Sequence, residues 1–255
     1  MHINKNCKFY AHEVSDIPEV TVKARRTPPS VKAASPLQVM NKAEMERMGI
    51  SEVADAVRHF SGVSVKDYGG IGGLKTISVR SLGAQHTGVI YDGVSVSDCQ
   101  SGQIDISRFS LTNISQLTLT IGQSDDIYQS ARAFASAGVL HIQTDRPDFS
   151  EQNWHINTTL KAGSFGLANP SVLYSQQLSQ RTSFSLYGDY LRADGNYPFK
   201  LWNGNQLIDS KRNNSDIQTY RAEATLYTSF TPKQDLQVKA YLFDSERGLP
   251  GGVIY

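Results

Sequence analysis

The sequence predicts an α+β domain over residues 37–146, followed from residue 150 to the end by antiparallel amphipathic β-strands. Three observations carry this. Asp92-Gly93 stands between two β-type runs, and Asp-Gly accepts positive φ at both central positions of a type I′ turn, the strongest hairpin signal in the chain. Two short helix-forming stretches with cap residues precede it. Beyond Asn153 the pattern changes to strict alternation, in runs of about ten residues.

The bulk composition narrows the function. The chain has 255 residues, a formal net charge of +1 and 19% charged residues, with no basic patch for a nucleic acid to use. No apolar run reaches the length of a membrane-crossing helix. The first ten residues lack the apolar stretch of a signal peptide. Cys7 and Cys99 are far apart, and neither belongs to a zinc-type spacing.

Residues 1–18 show no periodicity and read as a tail. Residues 19–24 alternate like a short strand, and residues 25–36 form an extended linker, since each of Pro28, Pro29 and Pro36 biases its predecessor away from helix. Leu37 to Met40 is a strand. Asn41 caps a helix with Glu44 three residues on, and Gly49 ends it. Ser51 is expected to cap a second helix to about His59, stopped by Gly62. Val63 to Lys66 is a strand, residues 68–73 a glycine-dense loop, and Ile77 to Gly83 a strand ending in a charged turn. The Asp92-Gly93 hairpin follows. Residues 114–121 alternate as a strand, residues 128–134 are expected to be a short helix, residues 139–143 form a last strand, and Arg146-Pro147 closes the domain.

In the second part Trp154, Ile156, Thr158 and Leu160 oppose His155, Asn157, Thr159 and Lys161. The same alternation runs over residues 182–190, 220–228 and 236–242, and more weakly over 171–177. The links at 177–181 and 231–234 are tight, whereas residues 193–215 form a long polar loop carrying Tyr197 and Trp202. Strands of this length, with short turns on one side and longer loops on the other, suit a transmembrane barrel. Period-2 alternation equally suits a soluble β-sandwich. The pattern alone leaves both open.

No catalytic constellation emerges. Residues 69–76 lack phosphate-loop spacing, no Gly-x-Ser-x-Gly elbow occurs, and the six histidines are isolated. No enzyme, cofactor or metal site is expected. Arg80 differs, because an arginine ending an apolar strand beside a hairpin is either a surface turn residue or the partner of a carboxylate elsewhere.

Three ordered blocks, residues 79–83 with 88–94, then 114–122, then 128 with 137–142, resemble the plug domain of TonB-dependent outer-membrane receptors. The resemblance spans residues 19–145 and implies an α+β plug domain followed by antiparallel β-strands of an incomplete transmembrane β-barrel. By position, Glu19, Val20, Thr21, Val22, Lys23 and Ala24 resemble a TonB box, which pairs with the periplasmic energy transducer by strand addition. Arg80 matches the first plug arginine, which in the family locks to barrel glutamates. Tyr68, Gly69, Gly70, Ser97, Asp98, Cys99, Gln100 and Ser101 match apical loops that touch ligand. The resemblance further implies energised uptake of a scarce solute such as cobalamin or an iron chelate, with a TonB-type transducer, outer-membrane lipid and a surface lipoprotein as partners.

Two departures bear on the lock and its neighbourhood. Ile121-Gly122-Gln123 stands where many plugs carry a second arginine, and Tyr128-Gln129-Ser130 replaces a Leu-Tyr-Gly motif. About five strands fit after residue 150, against about 22 in plugged transporters. The expectation is therefore an N-terminal piece of a receptor. The rival expectation is a soluble binding or adhesion module with a small α+β domain and a β-sandwich.

Overall fold

A computed structural model describes residues 37–70, 73–98, 101–122, 128–231 and 233–249. The residues expected to form the TonB box, Glu19 to Ala24, lie outside them, as do Cys7, Cys99 and Gln100.

The α+β domain is built on a five-stranded mixed sheet. In chain order its strands are β1 (Leu37–Asn41), β4 (Thr87–Tyr91), β5 (Val94–Val96), β6 (Ile114–Ile121) and β7 (Gly138–Thr144). Their spatial order is β1-β6-β7-β4-β5, with β4 and β7 parallel and the other neighbours antiparallel. A separate hairpin pairs β2 (Val63–Asp67) with β3 (Lys75–Val79). The expected turn is present: Asp92 and Gly93 have φ of +46° and +86°, as a type I′ turn requires.

The helices follow their local signals with two corrections. Asn41 Oδ1 accepts from the Glu44 N–H at 2.9 Å and caps α1 (Lys42–Arg47). In α2 (Val53–Arg58) the cap position is Glu52, not Ser51, and no side chain caps it. The Glu52 carboxylate pairs with the Lys75 ammonium. The expected helix at 128–134 is shortened to α3 (Ala131–Phe134), capped by Ser130. Met45, Val53, Val57, Ile77, Val79, Val89, Ile106, Leu117, Leu119, Leu140 and Ile142 form the core between helices and sheet. Gly138 is required there, because a Cβ would meet the Val79 methyls at 3.1 Å.

The second part is one antiparallel sheet. Its strands are β8 (Trp154–Ala162), β9 (Ala168–Ser179), β10 (Thr182–Ala193), β13 (Ile217–Thr231) and β14 (Gln234–Arg247), in the spatial order β14-β13-β10-β9-β8. They run 9 to 15 residues, longer than expected for most. The 193–215 loop is not wholly irregular, since it carries a hairpin of β11 (Pro198–Asn203) and β12 (Gln206–Lys211). The link from β8 to β9 is tight, so the side with the long loop also has a short turn. Among the described residues the sheet does not close, and β8 and β14 are its edges.

The register assigns each face. Ile156 lies beside Tyr174, Tyr174 beside Leu186, and Leu186 beside Ala224, with Ala240 completing the row. On this outward face Ile156, Leu160, Val172, Leu186, Leu226, Val238 and Leu242 are all exposed. Aromatic rings flank the band. Trp154, Phe184 and Phe230 lie toward the end with tight turns, and the stacked pair Tyr190–Tyr220 lies toward the end with the long loop. The opposite face carries Ser175, Ser185, Tyr187, Asp189, Thr219, Arg221, Glu223 and Thr225, all buried or nearly so. A sheet that hides its polar face and exposes its apolar one is inside out relative to a water-soluble sandwich. No helix among the described residues is long and apolar enough to cross a membrane, which leaves crossing by strands untouched.

Candidate functional site

The site is the interface between the α+β domain and the polar face of the sheet. A cluster of buried charges meets at the Asp92-Gly93 hairpin. Lys239 of β14 places its ammonium 2.5 Å from Asp92 Oδ2 and 3.1 Å from Glu223 Oε2. It donates to Thr144 Oγ1 at 3.2 Å and lies 4.4 Å from the centre of the Tyr91 ring, so its three donors are used and its charge faces a π-cloud.

Each partner is held in turn. Tyr91 Oη donates to the Glu223 carboxylate, with its two oxygens at 2.7 and 2.8 Å. Asp92 accepts from the backbone N–H and hydroxyl of Thr144, both at 2.7 Å. That pair ties the hairpin tip to the end of β7. Burial, followed by the negative charge of Glu223 beside it, pushes the Tyr91 phenol far above its usual range, so it stays protonated and remains a donor. The cluster carries two carboxylates and one ammonium.

Toward the end of the sheet with the long loop, contact switches from charges to backbone. Arg221 donates from Nε to the carbonyl of Arg108 at 3.0 Å and from Nη2 to that of Ser107 at 2.9 Å, while Nη1 pairs with buried Asp189 at 2.6 Å. Tyr241 Oη donates to the same Arg108 carbonyl at 2.8 Å, and Ser110 Oγ shares a 2.6 Å hydrogen bond with Tyr187 Oη. Higher still, a cavity of about 330 Å³ separates the two parts, lined by Ser51, Glu52, Lys75, Lys161, Asn169 and Arg247 among others. Lys161 Nζ reaches across to the Ser51 carbonyl at 3.2 Å, and Arg247 pairs with Asp105 at 3.6 Å.

The residues expected from sequence fall unevenly around this interface. Arg80 follows β3 with φ +51° and an exposed side chain. Its backbone N–H donates to the Gly62 carbonyl at 2.7 Å. The sheet-borne Glu223 is met by Tyr91 and Lys239. The Tyr68–Gly70 turn is tied to Asp67, whose Oδ1 accepts from the Gly69 and Gly70 N–H groups, and Asp67 is 4.0 Å from Lys75 of the cavity. In the second expected loop, Asp98 Oδ1 accepts from both the backbone N–H and the hydroxyl of Ser101. Farther along the chain, Asp105 Oδ1 accepts from the Lys75 backbone N–H at 3.1 Å and so joins the segment after that loop to the rim of the cavity.

The residues that sequence reasoning missed are Tyr91, Asp92, Glu223 and Lys239. Glu223 and Lys239 carried a signal, a charged residue in mid-strand on a face destined for burial. Among the described residues, no group of three or more His, Cys, Asp or Glu side chains gathers as metal ligands.

Comparison with known proteins agrees with this geometry. Residues 29–136 match the family model described as the TonB-dependent receptor plug domain. Among solved structures, the chain resembles the copper transporter OprC with a TM-score of 0.63 at 18% identity, covering 83% of this chain and 30% of that one. It resembles a mutant ferric enterobactin receptor of Pseudomonas aeruginosa, solved with enterobactin, with a TM-score of 0.56 at 17% identity, covering 80% and 32%. It also resembles FpvAI in complex with pyocin S2, with a TM-score of 0.60 at 14% identity, covering 83% and 24%. The chain thus spans a third or less of each. A segment that matches the plug domain of TonB-dependent receptors is thus seated on the polar face of antiparallel strands, in a fold shared with these receptors.

Proposed function

We propose that the receptor containing this chain sits in the outer membrane and takes up a scarce metal chelate, driven by a TonB-type transducer acting on residues 19–24. One observation carries the reading: a plug domain packs against the polar face of strands whose other face is an apolar band between aromatic rings. That arrangement suits a plugged barrel wall in lipid. An iron chelate or copper is favoured over cobalamin, because the related structures are named for siderophores and copper. The Tyr68–Gly70 and Ser97–Ser101 loops are proposed as ligand contacts, and a surface lipoprotein as a further partner. Growth rescue tests the class. A strain lacking its own receptors, given the intact receptor, should grow on a ferric chelate or on limiting copper. Rescue by cobalamin alone would replace the iron or copper reading.

A further inference from the structure

We propose that Lys239 is the releasable fastener of the plug in this receptor, and that the plug separates from the wall between Tyr91–Asp92 and Glu223–Lys239. The proposal rests on the transport reading above for its role, and on geometry for its place. Asp92 is bound twice to Thr144, so the hairpin tip and the end of β7 move together. Three polar contacts cross from this unit to the sheet: the Lys239 ion pair with Asp92, the Lys239 hydrogen bond to Thr144, and the Tyr91 bond to Glu223; the Tyr91 ring also meets the Lys239 ammonium and the Tyr241 ring. On the sheet side Lys239 and Glu223 stay paired with each other on adjacent strands. Parting along this plane therefore breaks one ion pair, two hydrogen-bonded contacts and the ring contacts of Tyr91, and leaves each half internally bonded.

The polarity matters. The cation stands on the wall and the anion on the plug, whereas Arg80 is exposed. A buried charged contact recovers hydration when it opens, and an apolar contact does not. Charges here hold the plug closed without making its release prohibitive. Removing only the cation should do the opposite of removing the whole cluster, because it strands two carboxylates.

The test uses the intact receptor in outer membranes, read by hydrogen exchange over residues 89–96 and by chelate uptake. K239M should speed exchange there at least tenfold, and K239R should keep wild-type exchange. The neutral triple variant D92N/E223Q/K239M should restore protection to the wild-type level or above and slow energised uptake at least tenfold. Unchanged exchange in K239M, or wild-type uptake by a protected triple variant, would overturn the fastener. If wild-type receptor takes up no chelate, the transport reading fails, while exchange in K239M still decides where the plug is held.

Discussion

Asp92 serves two purposes that substitution separates. Its φ of +46° suits Asp, Asn or Gly, and its carboxylate meets Lys239 and Thr144. Asp92→Asn keeps the turn and loses the charge. Asp92→Ala loses both, with a further penalty of about 1–2 kcal/mol for the left-handed backbone. The denaturant midpoint of the plug should therefore fall in the order wild type, Asn, Ala. Equal midpoints for Asn and Ala would show that the turn carries no strain. This cluster was illegible in the sequence, because Tyr91 and Glu223 are 132 positions apart and meet only through the packing of plug on sheet.

The strands were legible because their period is local. Alternation over residues 154–160 or 182–190 needs no knowledge of the fold, and the faces it assigns are those the register shows. The β11–β12 hairpin was missed although Gly204-Asn205, a two-residue turn between paired Asn203 and Gln206, was in view. Its polar flanks made it read as loop. Neighbours on opposite faces test the assignment. Ile156 belongs to the outward apolar band, in the row of Leu186 between the Phe184 and Tyr190 rings, and Asn157 faces inward. Ile156→Arg should cost about 2–4 kcal/mol, the penalty for a cation on the lipid face near the membrane midplane, and Asn157→Arg should cost far less. The folded fraction on unheated gels reads the difference, and equal losses would refute an outward lipid face.

At the scale of the molecule, plug and strands pack into one unit, with charge at the hairpin and backbone carbonyls above it. In the proposed transport role such an interface closes a pore yet tolerates water as it opens. In the same proposal the pull enters through residues 19–24, on the N-terminal side of the plug. The decisive measurement is uptake of a labelled ferric chelate by cells carrying the intact receptor with and without residues 19–24, alongside binding of the same chelate to the cell surface. Deletion should abolish uptake and leave surface binding unchanged. Undiminished uptake after deletion would show that this receptor is not driven through that segment.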